Sequence, residues 1–159
     1  MPVAPPSLTL TTASEDDMTA LGTRLAPHLV PGDTILLDGP IGAGKSHLAR
    51  AIIRALLDTP EDIPSPTFTL VQTYHAPDFE IWHADLYRLA DSSELVELGL
   101  DEAMGTDVLL IEWPDRLPPE MATHATLRIA IEAVGEARRL TFTPGTQRWS
   151  DVLGHLPHD

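Results

Sequence analysis

Apolar residues recur along the chain with two different spacings, and each spacing predicts a type of element. Leu48, Ile52 and Leu56 are four residues apart, so they share one face of a helix. The runs at 34–38 and 108–111 are continuous and apolar instead, which is typical of short strands buried on both faces of a parallel sheet. Because strand and helix patterns alternate along the chain, the pattern predicts an α/β fold.

The remaining segments predict further strands and helices around this centre. Alternating apolar and polar residues predict a strand at 7–12, a β-hairpin over 68–85 and a late hairpin over 126–142 that turns at Gly135. Ser14 and Asp17 form a capping box that opens a helix, and Asp91 and Glu94 open a shorter one. Apolar residues on one side predict that the segment 145–159 is a C-terminal helix, with a tail as the alternative.

Length and composition restrict the class of protein. A chain of 159 residues without cysteine is expected to form one domain over 1–159, with 1–6 disordered, and cannot contain a disulfide or a thiolate metal site. It has no membrane-spanning run and no signal-peptide pattern, which predicts a cytoplasmic protein. The net charge of −14 opposes binding of a nucleic acid by this chain alone.

The segment from Gly39 to Ser46, Gly-Pro-Ile-Gly-Ala-Gly-Lys-Ser, matches the phosphate-binding P-loop G-x-x-x-x-G-K-[ST]. It lies between a predicted strand and a predicted helix, so backbone N–H groups and the helix N-terminus can surround phosphate. Lys45, the only lysine of the chain, is expected to reach the β- and γ-phosphates. The Ser46 hydroxyl is expected to bind Mg²⁺, and Pro40 lies before the amides that should contact phosphate.

A P-loop site needs a second acidic group at the end of a neighbouring strand. Glu112 follows the apolar run 108–111 and precedes Pro114, so it should lie at the carboxyl end of a central strand, where α/β sheets bind ligands. We therefore predict that Glu112 belongs to the metal site. Trp113 could either anchor a partner or belong to the core.

The segment 63–85 resembles the switch region of nucleotide-dependent proteins in its position after the P-loop helix. Such segments offer a Ser or Thr to the metal and the γ-phosphate, which makes Ser65 and Thr67 candidates, with a turn or capping role as the alternative. Asp85 ends the second strand of the predicted hairpin. It could assist the metal or orient water, or it could cap a helix or pair with Arg88.

Missing motifs exclude several P-loop classes. Guanine recognition through N-K-x-D requires a second lysine, and a transporter ATPase requires a Ser-Gly-Gly-Gln run; the chain has neither. Small-molecule kinases usually close an arginine-bearing lid, whereas we expect only Arg88 and Arg116 near this site. The seven histidines show no ligand spacing, so His83 and His155 are expected to be structural.

Four blocks of the chain occur in the order and spacing of the TsaE (YjeE) family, which the chain resembles over roughly 8–142. The blocks are Gly39–Ser46, Ser65–Val71, His83–Arg88 and Glu112–Pro114. The first block alone is shared by many nucleotide-binding families, whereas the set of four is specific. The family is the bacterial ATPase required for threonylcarbamoyladenosine modification of tRNA.

The resemblance implies a P-loop NTPase-type three-layer fold with a mixed central sheet and added β-hairpins. It also implies binding of ATP and Mg²⁺, and ATP hydrolysis that is slow alone and activated within a complex. The partners would be a TsaD-like threonylcarbamoyl-transferase subunit and its non-catalytic TsaB-like paralogue. If these partners hold the tRNA, contact with tRNA is indirect and the acidic charge of this chain is no obstacle.

Carried over residue by residue, the resemblance gives Lys45 and Ser46 the P-loop roles and Glu112 the metal-site role. It puts Thr67 in the switch-like block and Asp85 in the His-x-Asp-Leu-Tyr-Arg block as further catalytic candidates. The family places adenine near the start of the first helix, which points to Glu15. The expected nucleotide-binding residues are therefore Glu15, Gly42, Ala43, Gly44, Lys45, Ser46 and His47.

The chain departs from the family pattern at three positions. Pro40 replaces an acidic residue, Ser46 a threonine and Phe68 a tyrosine. Ser46 keeps the hydroxyl and Phe68 keeps the ring, but any family contact made by an acid at position 40 is lost. Two other functions stay open: a small-metabolite kinase with Asp85 as base, and a nucleotide-gated binding module without enzymatic activity.

Overall fold

The computed structural model describes residues 7–40, 42–57, 71–87, 89, 91 and 93–156. Two short 3₁₀ helices, Ala26–His28 and Pro114–Arg116, connect larger elements. Within the described ranges, seven strands and six α-helices follow one another as β1 (Leu8–Thr12), α1 (Glu15–Leu25), β2 (Thr34–Asp38), α2 (Lys45–Leu56), β3 (Val71–His75), β4 (Glu80–Asp85), α3 (Ser93–Glu97), α4 (Leu100–Ala103), β5 (Val108–Glu112), α5 (Pro119–Ala122), β6 (Leu127–Val134), β7 (Ala137–Pro144) and α6 (Gln147–His155).

These strands form one mixed sheet in the order β1-β7-β6-β2-β5-β4-β3. The central pairings β6–β2, β2–β5 and β5–β4 are parallel. The outer pairings are antiparallel, and two of them are the predicted hairpins β3–β4 and β6–β7. The mixed sheet predicted from the sequence is therefore confirmed.

Alternate residues of the central strands enter two separate apolar clusters, because successive side chains of a strand point to opposite faces. Ile35 and Leu37 of β2 join a cluster with residues of α1, α2 and α6. Leu36 joins the other cluster, which includes residues of α3, α4 and α5. The sheet is thus the middle of three layers, as expected.

Helices α1 and α2 are in direct contact on the first face. A Cβ atom added to Gly22 of α1 would lie 2.7 Å from the Cβ of Ala51 in α2, so only glycine permits this approach. Ser14 caps α1 as predicted, since Asp17 N donates to Ser14 Oγ over 3.2 Å, whereas the Asp17 side chain accepts from Ala13 N over 3.0 Å and not from the N-cap residue itself. Helix α1 therefore packs against the helix that follows the P-loop.

Helix α6 is attached to the same layer through a buried acidic residue, Asp33. Trp149 Nε1 donates to Asp33 Oδ1 over 3.0 Å, and Thr126 Oγ1 donates to the same oxygen over 2.9 Å. Arg148 adds an ion pair to this carboxylate. The contacts explain why a C-terminal helix with one apolar side has a defined place in the fold.

None of the helices in the described part of the chain is both long and apolar enough to cross a membrane.

Candidate functional site

The P-loop joins the carboxyl end of β2 to the N-terminus of α2. Three of its glycines have positive φ: Gly39 (146°), Gly42 (82°) and Gly44 (107°). A Cβ on Gly39 would lie 2.4 Å from the carbonyl oxygen of Ile131, so a larger residue would displace β6. A Cβ on Gly42 would meet nothing within 4 Å, so only its positive φ restricts this position to glycine. The backbone is shaped as an anion cradle requires.

Lys45 begins α2, and its side chain folds back over this loop. Its Nζ donates to the carbonyl oxygen of Gly39 and, over 2.9 Å, to that of Pro40. The residue is only 5% exposed. Desolvation by burial lowers the pKa of Lys45, although the negative charges of Glu112, Asp38 and Asp85 oppose this shift. The ammonium group is thus held by neutral carbonyls in a site with several carboxylates nearby.

Ser46 and Glu112 meet where the N-terminus of α2 faces the end of β5. Strand β5 runs parallel to β2, with Glu112 in register with Leu37. Ser46 Oγ lies 2.8 Å from Glu112 Oε1 and 3.0 Å from Oε2, and Glu112 is only 2% exposed. The structure therefore brings together the hydroxyl and the carboxylate that the sequence selected independently.

Strand β4 brings another carboxylate to the same edge of the sheet. Asp85, its last residue, is in register with Glu112 across the parallel pair. Burial is the main cause that raises the pKa of Asp85, and the nearby charge of Glu112 adds to it. A hydrogen bond of 3.0 Å from Tyr87 N to Asp85 Oδ1 opposes the shift. Whether Asp85 also pairs with Arg88 lies outside the described residues.

His83 precedes Asp85 by two residues, so both side chains leave β4 on the same face. His83 is fully buried, and its Nε2 lies 2.6 Å from Glu112 Oε2. The sequence predicts a structural histidine at this position and gives no direct link to Glu112. The available signal was the period of two that relates it to Asp85.

Trp113 lies against the P-loop and also packs against the apolar cluster that includes residues of α3, α4 and α5. It is the one non-glycine residue with positive φ (60°) in the described part of the chain. Lys45 Nζ lies 4.1 Å from the centroid of its half-buried ring, and the Tyr87 ring lies 4.9 Å away. Trp113 therefore contacts both the site and this apolar cluster, and its role as an anchor for a partner stays a prediction. Such backbone outliers are concentrated at functional sites.

Glu15 and His47, the residues expected near adenine, lie beside each other. His47 Nε2 is 3.1 Å from the carbonyl oxygen of Glu15, and 2.8 Å from Thr19 Oγ1. The start of α1 is thus connected to the first turn of α2, one residue after Ser46. Thr67 and Ser65, the candidates of the switch-like block, fall outside the described residues.

The expectation that only Arg88 and Arg116 lie near the site is wrong. Arg138 of β7 donates to the carbonyl oxygen of Gly42 over 3.4 Å, so a distant strand supplies a cation to the P-loop. Arg116 instead donates to the carbonyl oxygen of Leu89. The contact of Arg138 depends on the order of the strands in the sheet, which no local pattern reveals.

The oxygen donors at this edge suit a hard divalent cation that keeps several water ligands. A hydroxyl and one or two carboxylates are what Mg²⁺ takes from a protein when phosphates supply other ligands. Within the described residues no group of three or more His, Asp or Glu side chains could enclose a metal by itself. The donor set therefore fits Mg²⁺ bound together with a nucleotide and does not resemble an all-protein metal cage.

Comparison with known proteins identifies the family. The family model described as "Threonylcarbamoyl adenosine biosynthesis protein TsaE" matches residues 12–141. The chain belongs to the TsaE family. The resemblance seen in the four sequence blocks is thereby confirmed, and every described block residue discussed above lies inside the matched range.

Individual TsaE relatives agree with this assignment. A protein of Rickettsia conorii, named tRNA threonylcarbamoyladenosine biosynthesis protein TsaE, is 40% identical over 80% of this chain and 72% of its own length. The Bacillus subtilis protein of the same name is 34% identical over 93% of both chains. A crystal structure of Bacillus subtilis YdiB superposes with a TM-score of 0.71 at 27% identity, covering 94% of this chain and 92% of that one. This TsaE-family chain therefore has the P-loop NTPase-type fold.

Proposed function

We propose that this chain is a Mg²⁺-dependent ATPase that acts as the ATP-hydrolysing subunit of the complex making threonylcarbamoyladenosine on the adenosine 3′ of the tRNA anticodon. The observation that carries the proposal is the direct contact of Ser46 with Glu112 above the P-loop, with Oγ 2.8 and 3.0 Å from the two carboxylate oxygens. The names of its relatives, at up to 40% identity, support the pathway.

The P-loop supports the binding of a nucleotide phosphate chain. Amides between Gly42 and Ser46 lie at the N-terminus of α2, where the helix dipole favours an anion. Lys45 would exchange its contacts with neutral carbonyls for bonds to charged phosphate oxygens, in which Coulombic attraction between opposite charges adds to the hydrogen bond. Glu15 and His47 stand where we expect the adenine.

Ser46 and Glu112 are the residues that would hold Mg²⁺. When bound, the metal neutralises charge on the phosphate oxygens. Asp85 lies at the same strand end with a pKa raised by burial, so its carboxylate is a stronger base than an exposed aspartate. We assign it the orientation of the attacking water. Hydrolysis joins this water to the γ-phosphorus and breaks the bond to the bridging oxygen, leaving ADP and phosphate.

The proposed complex accounts for the charge of the chain. With a net charge of −14, this chain would repel a tRNA phosphate backbone. The partners we propose, a TsaD-like threonylcarbamoyl-transferase subunit and its TsaB-like paralogue, would hold the tRNA instead. Thr67 and the switch-like block would complete the site when the partners dock.

The test is incubation of the chain with γ-labelled ATP, alone and with the two partners. Release of free phosphate supports the ATPase. Label transferred to a small acceptor would identify a kinase, and absence of turnover even with the partners would leave a nucleotide-gated binding module.

Glu112→Ala should abolish phosphate release and weaken the effect of Mg²⁺ on nucleotide affinity, while ADP binding persists. Hydrolysis by Glu112→Ala at the parent rate would mean that Asp85 or another group holds the metal site.

A further inference from the structure

His83 is a polar residue that is buried in the fold. Core packing alone does not explain why it lies there. It lies in the interior of β4 with no exposed surface. Its Nδ1 has no hydrogen-bond partner within the described part of the chain, and burying such an atom costs free energy. An apolar side chain would avoid that cost. The ring atom with a partner is Nε2, which lies 2.6 Å from Glu112 Oε2.

The direction of this contact follows from the chemistry of the two groups. An ionised carboxylate only accepts hydrogen bonds, so the ring must donate from Nε2. Ser46 Oγ donates to the same carboxylate over 2.8 Å. Glu112 is therefore held by two donors on different elements, one in the first turn of α2 and one in β4.

We propose that His83 is a positioning residue that holds the Glu112 carboxylate in the orientation required by the Mg²⁺–nucleotide complex. The inference rests on the proposed function. The Ser46 hydroxyl has a second task in that complex, since its oxygen would face the metal. The donor on β4 has no such second task. It keeps the carboxylate in one orientation with or without the metal, which is how partners of metal-site carboxylates act.

Two amide variants separate this role from simple packing. Gln carries its amide nitrogen where histidine has Nε2, so His83→Gln keeps the donor toward Glu112. Asn is shorter and places its nitrogen near the position of Nδ1, so His83→Asn has the same chemistry without the reach. His155→Gln, at an exposed position in α6, is the matched control.

The readout is the affinity of a non-hydrolysable ATP analogue, measured by calorimetry with and without Mg²⁺, together with the rate of ATP hydrolysis. We expect His83→Asn to lose about 10–100-fold in the gain of affinity produced by Mg²⁺ and in rate. Its affinity without metal should stay that of the parent. His83→Gln should recover most of both effects, and His155→Gln should change neither. The proposal is wrong if His83→Asn and His83→Gln lose the Mg²⁺-dependent gain in affinity and the rate equally, or if His83→Asn loses neither. It is also wrong if the metal-free affinity of His83→Asn falls by as large a factor as the gain produced by Mg²⁺.

A second measurement uses the unmodified chain, so it does not depend on the folding of a variant. Ring ¹⁵N NMR of His83, without nucleotide, should find hydrogen on Nε2. Hydrogen on Nδ1 with a bare Nε2 would overturn the proposal. If the parent chain binds no nucleotide, the proposed function fails while the NMR result still tests the contact. If the parent binds and His83→Asn behaves like it, only the positioning role fails.

Discussion

At the scale of single residues, Lys45 would exchange one set of partners for another in the proposed complex with a nucleotide. Its ammonium group is satisfied by the carbonyls of Gly39 and Pro40 and lies 4.1 Å from the centre of the Trp113 ring. These contacts keep a buried cation from being left without partners. They are weaker than bonds to an anion, so phosphate can displace them.

Lys45→Ala should therefore weaken nucleotide binding without unfolding the chain. Charge-assisted hydrogen bonds contribute about 1.5–3 kcal/mol, which corresponds to a loss of affinity of about tenfold or more. Calorimetric titration with ATP measures the change. Arg54→Ala removes an exposed cation from the last turn of the same helix and should leave affinity unchanged. Equal affinity of Lys45→Ala and the parent would contradict the assignment of the P-loop.

Asp85 makes stability depend on pH in a direction that can be derived. Because burial raises its pKa above the unfolded value, the folded chain binds its proton more tightly. Stability therefore falls as pH rises through the interval between the two pKa values, and the loss persists at neutral pH. Asp85→Asn keeps an oxygen for the N–H of Tyr87 and removes the charge.

We expect Asp85→Asn to unfold at a higher temperature than the parent at pH 7, with a difference that shrinks toward pH 4. Thermal unfolding at both values measures it. Asp91→Asn is the control, because Asp91 accepts from the N–H of Ser93 over 3.0 Å in the same manner but is exposed. If the unfolding temperature of Asp85→Asn minus that of the parent instead grows from pH 7 to pH 4, the charged form of Asp85 stabilises the fold.

For single residues, the sequence predicts the features that a local pattern determines. The P-loop and Glu112 follow from a motif and from a strand that ends in an acid. The contacts of Glu112 with His83 and of Gly42 with Arg138 join residues 29 and 96 positions apart. They depend on which strands are neighbours, and strand order is a property of the whole sheet that no short segment encodes.

At the scale of elements, strands and hairpins were predictable because their apolar periods are local. The bounds of β2 agree with the predicted 34–38, and the hairpin β6–β7 turns at Gly135 as expected. The register between neighbouring strands could not be predicted from these local patterns. That Asp85 and Glu112 stand side by side follows from the parallel pairing of β4 with β5, although the two strands are separated by α3 and α4.

The contact of α1 with α2 offers a test of how tightly the P-loop helix is held. Alanine at position 22 would improve helix propensity by about 0.5–1 kcal/mol. Its Cβ would, however, lie 2.7 Å from that of Ala51, and overpacking of this kind costs about 1–3 kcal/mol. We expect Gly22→Ala to lose about 1 kcal/mol, or roughly 2–4 °C in unfolding temperature.

Two further variants control this prediction. Gly154→Ala lies in α6, where an added Cβ meets nothing within 4 Å, and should raise stability by at most about 1 kcal/mol. The double variant Gly22→Ala with Ala51→Gly moves the methyl group from α2 to α1 and should lose less than the sum of the single changes. If Gly22→Ala gains as much as Gly154→Ala, the helices are not closely packed.

At the scale of the whole molecule and across the described part of the chain, the arginines near the proposed site are engaged with backbone carbonyl oxygens. Arg138 contacts the carbonyl of Gly42, and Arg116 is engaged with that of Leu89. P-loop enzymes become fast when an arginine neutralises charge on the transferring phosphate, and a partner that supplies one contributes about 10³–10⁵ in rate. A strongly acidic chain is suited to receive such a cation from a partner.

We therefore expect the isolated chain to hydrolyse ATP slowly and its two proposed partners to raise the rate. ATP should in turn strengthen the complex, because coupling between two binding events is reciprocal. The measurements are phosphate release alone and with the partners, and partner affinity with and without a non-hydrolysable ATP analogue. Glu112→Ala, assembled in the same complex, controls for phosphate released by another subunit, since its complex should form and stay inactive. A high rate in the isolated chain that does not respond to the partners would instead favour a stand-alone activity, because the chain itself would then supply every group that catalysis needs.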